Sequence, residues 1–168
     1  MVARSVDGKI IAHFEILQTL QRDEVTMHLT CHFLDGSLDE ETTTYSQQGT
    51  FRLVRNHHVQ KGPFFTKPVD FAVDATTGTA INSTVDRDGN ARTQSEHVDV
   101  PDDVANGFIG TLLPNVPGNA APFRVGLLTL FGGGRLVKLL ISPESEWNPC
   151  PTDRNSAEGP DGVGTGRR

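Results

Sequence analysis

Apolar and polar residues alternate most cleanly between residues 25 and 33. The odd-numbered positions are apolar, and the even-numbered positions from 26 to 32 hold only threonine and histidine. Because successive side chains of a β-strand point to opposite faces, this pattern predicts a strand with one buried and one polar face. The Asp35-Gly36 pair that follows is typical of a hairpin turn.

Similar short segments, separated by Gly-, Asp- and Pro-containing turns, recur along the chain. They predict strands at residues 9–17, 38–46, 51–59, 69–73, 79–85, 91–98, 123–131 and 136–141. Turn signals at this regular spacing favour neighbouring strands that pair antiparallel. We therefore predict a mainly β domain, with an antiparallel sheet that forms a strongly curved sheet or a partial barrel.

The period changes between residues 101 and 113, where apolar residues recur four apart. Val104, Phe108 and Leu112 form one stripe at helical spacing. Pro101 suits a first helical turn, and Pro114 ends the segment. This pattern predicts a single helix over about 101–113, packed on the concave face of the sheet.

The C-terminal part of the sequence has a different composition. Residues 144–168 are rich in Gly, Pro, Ser and acidic residues and hold very few apolar ones. Such a segment cannot bury enough apolar surface to order itself. We therefore predict one β-rich domain at residues 1–143, followed by a disordered tail at 144–168.

Charge and hydropathy exclude some classes of function. The 168-residue chain carries 21 acidic and 15 basic residues, a net charge of −6, which disfavours nucleic-acid binding. No apolar run approaches the length of a transmembrane helix. The N-terminus lacks the apolar region of a signal peptide, so the sequence alone indicates a cytoplasmic protein.

Three stretches together resemble a family of uncharacterised bacterial proteins. They are residues 35–65, with the HHVQKGP element at 57–63, residues 98–107 and residues 134–146. The resemblance implies a β-rich, exported protein, and because the family has no assigned activity it implies no catalytic residue. It also implies further strands at both ends, so an incomplete domain or a non-functional truncated gene product is one expectation for this chain.

A set of apolar residues on the predicted sheet and helix could line a ligand groove rather than only fill a core. The predicted ligand-binding residues are Met27, Leu29, Phe33, Phe51, Phe64, Phe65 and Phe108. Curved sheets with one helix often hold apolar ligands. Our leading hypothesis is a non-enzymatic binding or envelope-associated module for a lipid or another apolar small molecule.

The competing hypothesis is a hydrolase or a metal-dependent enzyme at a rim formed by His57, His58 and Lys61. His57 and His58 are adjacent on a predicted strand, so they should point to opposite faces. The sequence has neither a nucleophile elbow nor an HExxH pattern. We therefore assign no catalytic residue, metal ligand or cofactor, and we expect that exposed sheet edges would permit an oligomer.

Overall fold

The computed structural model describes residues 1–85, 90–129 and 135–142 of the chain. Its main feature is an eight-stranded antiparallel sheet in which each strand pairs with the next one along the chain. The strands are β1 (Val2–Arg4), β2 (Ile10–Gln21), β3 (Glu24–Phe33), β4 (Leu38–Ser46), β5 (Arg52–Lys61), β6 (Val69–Asp74), β7 (Thr79–Val85) and β8 (Ala91–His97). The sheet is open, with β1 and β8 at its edges, and the prediction of a mainly β antiparallel domain is confirmed.

A second, two-stranded sheet follows, formed by β9 (Phe123–Thr129) and β10 (Arg135–Ile141). Residues 103–105 join it as a short parallel bridge between Val104 and Gly126. The Ala105 amide donates to the Gly126 carbonyl at 2.9 Å, and the Gly126 amide donates to the Asp103 carbonyl at 2.8 Å. The bend before the helix therefore holds β9 by backbone hydrogen bonds.

The predicted helix over 101–113 is wrong in its bounds. The helix α1 comprises only Ile109–Leu112 and continues as a 3-10 turn over Leu113–Asn115. Gly107 adopts a φ of +71°, which ends any helix that would run through it, and residues 103–105 hydrogen-bond to β9 instead. The apolar stripe is real, since Val104 and Phe108 are buried, but an irregular bend presents them.

The hydrophobic core lies between one face of the main sheet and this bend. Its buried residues include Val25, Met27, Tyr45, Leu53, Val69, Phe71, Val73, Ala80, Val104, Ala105, Phe108, Val125 and Leu128. The Tyr45 and Phe108 rings stack with their centroids 4.9 Å apart, so the bend is anchored directly on β4. Burying apolar side chains of this size stabilises a fold by roughly 1.5 to 3 kcal/mol each.

A small polar cluster is buried where Gly107 crosses the sheet. The Asn56 side chain donates to Thr43 Oγ1 at 2.9 Å and to Glu41 Oε1 at 2.8 Å. A Cβ atom on Gly107 would lie 1.8 Å from Thr43 Oγ1. The close approach of the bend to β4 and β5 therefore requires glycine at this position.

The outer edge of β2 is paired over only part of its length. β1 pairs with β2 as far as His13, and Met1, just before β1, exchanges two backbone hydrogen bonds with Phe14 at 2.8 and 2.9 Å. Among the described residues, no strand continues this pairing beside residues 15–21. Ile16 and Leu20 in this stretch are 47% and 60% exposed, so the edge is both unpaired and apolar.

Some predictions fall outside the described residues, namely the tail at 144–168 and the last two residues of the strand predicted at 123–131. β1 was not among the predicted strands, because three residues are too few to show alternation.

In the part of the chain that the structure describes, no helix has the length and apolar character that crossing a membrane requires.

Candidate functional site

An open hollow of about 610 Å³ lies beside α1. Its walls are the turn between β4 and β5, the bend at 102–108, the 3-10 turn and β9. The larger apolar side chains that line it are Phe51, Val104, Phe108, Leu112, Val116, Phe123 and Val125, and Ala105 and Pro117 complete the apolar lining. Its volume is in the range of small-molecule sites, and a mostly apolar lining with few polar groups is typical of them. We call this hollow the apolar groove.

Two phenylalanines of the groove are held in place by one buried tyrosine. Tyr45 on β4 stacks on Phe108 at 4.9 Å and meets Phe51 edge-on at 5.8 Å between ring centroids. The centroids of Phe51 and Phe108 lie 6.3 Å apart. Aromatic pairs at these distances favour such offset and edge-on geometries, so this wall is preorganised.

The groove lining is not fully buried, unlike the core beneath it. Phe108 and Val104 are buried, whereas Phe51, Leu112 and Val116 are half-buried. The half-buried side chains keep apolar area that a ligand could still remove from water. This combination of a buried floor and half-buried walls distinguishes the groove from a filled core.

Charged residues lie along one side of the groove. Arg52 forms an ion pair with Asp102 at 3.2 Å. Asp103 accepts two hydrogen bonds from Lys138 Nζ, both at 2.6 Å. Arg124, between two lining residues of β9, is exposed.

The structure separates the predicted ligand-binding residues into different places. Phe51 and Phe108 line the groove, Met27 is part of the core, and Leu29 is half-buried on β3. The other three form a separate aromatic cluster of Phe33, Phe64 and Phe65, with centroids 4.4 to 5.4 Å apart. The groove residues that the sequence did not indicate are Val116, Phe123 and Val125, because nothing in their spacing relates them to Phe51.

The aromatic cluster covers the turn between β3 and β4. The Phe64 amide donates to Ser37 Oγ at 2.8 Å, and Ser37 is 2% exposed. Gly62 packs on Ser37 so closely that a Cβ atom would lie 2.6 Å from its Cα. Phe64 itself is 56% exposed, so the cluster closes one end of the sheet and leaves one ring in solvent.

The three predicted rim residues do not converge. His57 and Lys61 lie on one face of β5, and His58 lies on the other. His57 Nε2 pairs with Asp70 Oδ1 at 2.9 Å, and both side chains are about half exposed. The adjacent histidines therefore belong to two different environments, as their alternation along the strand predicts.

His58 forms a half-buried pair with Asp39 on β4. The Nε2–Oδ1 distance is 2.7 Å, and Gln60 donates to the other Asp39 oxygen at 3.0 Å. Burial lowers the pKa of His58, but the hydrogen bond to Asp39 and the charges of Asp39 and Glu41 outweigh burial and raise it. Burial raises the pKa of Asp39, and its hydrogen bonds with His58 and Gln60 outweigh that effect and lower it. This is the geometry of an ion pair that holds a proton on the imidazole.

Cys31 faces Asp39 in the register of β3 and β4 and is 2% exposed. Burial raises the pKa of its thiol, and the negative charge of Asp39 raises it further. Because the thiolate is the reactive form, this cysteine is not an activated nucleophile. Within residues 1–85, 90–129 and 135–142, no three His, Cys, Asp or Glu side chains come together in a way that could hold a metal ion.

Comparisons with protein-family models, with curated proteins and with solved structures give no match. The resemblance to exported bacterial β-rich proteins, and the envelope location that it implies, therefore stay predictions.

Proposed function

We propose that this chain is a non-enzymatic binding module whose apolar groove takes an elongated apolar small molecule, such as a lipid acyl chain. The observation that supports this proposal is the open hollow of about 610 Å³ with phenylalanine walls beside α1. Each methylene group of a ligand that enters such a groove contributes about 0.8 kcal/mol. A chain of about ten carbons would therefore contribute about 8 kcal/mol, which is comparable to the roughly 4 to 15 kcal/mol of entropy that association costs.

The rigidity of the groove also supports a binding function. Phe51 and Phe108 are fixed by Tyr45, and Val104 and Val125 belong to segments joined by backbone hydrogen bonds. A site that is already formed before the ligand arrives loses little conformational entropy on binding. The alternative of an enzyme at His57, His58 and Lys61 has no comparable support, because these side chains lie on two faces.

A fluorescence titration tests the proposal. The neutral probe N-phenyl-1-naphthylamine should bind saturably to the folded chain and should be displaced by dodecanol. Val116→Trp places a large side chain in the groove wall and should weaken probe binding at least about tenfold. Leu113→Trp is the matched control, since Leu113 lies one turn earlier, is 42% exposed and does not line the groove.

Leu113→Trp should leave the affinity within about twofold of the parent chain, and both variants should keep the parent's circular dichroism spectrum. Probe binding that does not saturate would refute the proposal. Equal weakening by the two tryptophans would also refute it, because the probe would then bind outside the groove.

A further inference from the structure

Two histidines lie directly opposite each other on strands β2 and β3. The two strands pair over ten consecutive residues without a bulge, and this register places His13 against His32. The Leu34 amide donates to the Ile11 carbonyl at 3.0 Å, so by alternation His13 and His32 also exchange backbone hydrogen bonds. The Cα atoms of such a pair lie about 5.5 Å apart.

Both imidazoles lie on the outer face of the sheet, away from the core. The sequence neighbours Ala12 and Cys31 are 0% and 2% exposed, and successive side chains of a strand point to opposite faces. His13 and His32 therefore point outward, and both are exposed. In the part of the chain that the structure describes, neither imidazole forms a hydrogen bond or an ion pair, so the ring nitrogens of both are available to a ligand.

The other histidines lack this arrangement. His28 shares the outer face of β3, but its Nδ1 lies 3.0 Å from Thr42 Oγ1, within hydrogen-bond distance. His57 and His58 each pair with an aspartate. The residue opposite His97 on β7 is a threonine. The pair on β2 and β3 is thus set apart by having two imidazoles side by side and without other partners.

We propose that His13 and His32 chelate one divalent transition-metal ion, with Cu²⁺ bound most tightly. Side chains directly opposite each other have Cβ atoms about 4.5 to 5.5 Å apart, so both exposed rings can turn toward one ion. Cu²⁺ accepts imidazole nitrogen in tetragonal surroundings and has the highest affinity of the divalent first-row ions for a given site. The described residues bring no group of three metal-binding side chains together, so water completes the coordination.

The surrounding charge favours a cation at this place. Glu15 is exposed two residues from His13 on the same face of β2, where it lies opposite Thr30. The net charge of −6 also attracts cations at long range. The site lies on the face of the sheet opposite the apolar groove. It is therefore a second binding function, which stands or fails independently of the first.

Isothermal titration calorimetry with CuCl₂ at about pH 7.5, where imidazole is mostly neutral, tests the site. The parent chain should bind one Cu²⁺ more tightly than any further ion. His13→Gln and His32→Gln should each weaken this binding at least about tenfold, since even the outer partners of metal ligands contribute about that much. The double variant should bind no more weakly than either single one, because one substitution already breaks the chelate.

His28→Gln is the matched control, because it removes an exposed histidine from the same face of β3 that has no histidine opposite it. It should keep the Cu²⁺ affinity within about twofold of the parent chain, as expected for an independent position. All variants should keep the parent's circular dichroism spectrum. Equal weakening by His28→Gln, or parental affinity in either His13→Gln or His32→Gln, would show that the ion binds elsewhere and would overturn the proposal.

Discussion

His58 Nε2 lies 2.7 Å from Asp39 Oδ1 across strands β4 and β5, on the covered face of the sheet. The preceding residue, His57, pairs with Asp70 on the opposite, exposed face of the sheet. One dipeptide thus supplies two histidine–aspartate pairs in unlike surroundings. The exposed pair is a natural control for the half-buried one.

The half-buried pair should make stability depend on pH. The pKa of His58 is raised above its ordinary 6.5, so its contribution is full below pH 6.5 and is lost as the pH rises through the folded-state pKa. The pKa of Asp39 is lowered below 3.8, so its contribution is present above pH 3.8 and is lost as the pH falls through the folded-state pKa. Both contributions are present between these limits.

Urea unfolding of His58→Gln and His57→Gln between pH 5 and 8 checks this dependence. The parent chain should lose stability as the pH rises above about 6.5. His58→Gln should flatten that decline, and His57→Gln should preserve it. A decline that persists in His58→Gln would show that the Asp39–His58 pair is not its source.

Gly107→Ala should destabilise the fold by at least about 3 kcal/mol. A Cβ atom there would overlap Thr43 Oγ1 at 1.8 Å, and the φ of +71° is strained for alanine. Gly49→Ala separates the two causes, because Gly49 has a similar φ of +73° and open space around it. It should cost only about 1 kcal/mol. If chemical denaturation showed that the two variants lose the same free energy of unfolding, close steric contact between the bend and the sheet would not be the cause.

Asn106→Ala should loosen the second sheet. Its side chain donates to the Leu128 carbonyl at 2.9 Å and accepts from the Leu128 amide at 2.7 Å. Leaving both backbone groups unpaired should cost about 3 kcal/mol, since Leu128 is buried. Hydrogen exchange at the Leu128 amide should accelerate accordingly.

Asn115→Ala is the matched control for that experiment. Its exposed side chain makes a single hydrogen bond, to the Thr111 carbonyl at 2.8 Å. It should cost less than about 1 kcal/mol and leave the exchange of the Leu128 amide unchanged. If the two variants behaved alike, the hydrogen bonds of Asn106 would not be what holds β9.

The free part of the β2 edge should pair with a second copy of the chain at high concentration. Phe14 directs its backbone groups outward to Met1, so Ile16, Gln18 and Leu20 do the same by alternation. An antiparallel pair centred on Gln18 places Ile16 of one copy opposite Leu20 of the other. Such self-pairing of an uncovered apolar edge is the usual hazard of open sheets.

Sedimentation equilibrium checks this pairing. Gln18→Pro removes the central donor without breaking a hydrogen bond to β3, so it should leave the chain monomeric. Gln18→Ala keeps the amide and should associate like the parent chain. A parent chain that stays monomeric at about 100 μM, or a Gln18→Pro variant that associates equally, would contradict the prediction.

Much of the fold could be predicted because strands are indicated by local patterns, namely the alternation of apolar and polar residues and the turn residues at their ends. The alternation that ends at Phe33 and the turn residues around it reproduce β3 closely. The predicted helix bounds are wrong because Val104 and Phe108 have the spacing of a helix but lie in an irregular bend. The positive φ of Gly107 and the backbone bonds to Gly126 depend on tertiary contacts that no local pattern reveals.

The candidate site was less predictable. Phe51 and Phe108 are far apart in sequence and meet only because both pack on Tyr45. Phe33 and Phe64 have the same apolar character in the sequence, but they stack on each other away from the groove, because the chain after Gly62 brings Phe64 to the end of β3. The partner of His58 depends on the register between β4 and β5, which the sequence leaves open.

Methyl NMR of the valine and leucine side chains is the most direct test of apolar binding in the groove. Saturating dodecanol should shift the methyl signals of Val104, Leu112, Val116 and Val125 with one shared affinity. The signals of Leu17 and Leu34, which are 62% and 66% exposed and do not line the groove, should stay in place. Shifts confined to those exposed leucines, or no saturable shift at the four groove residues, would contradict the account.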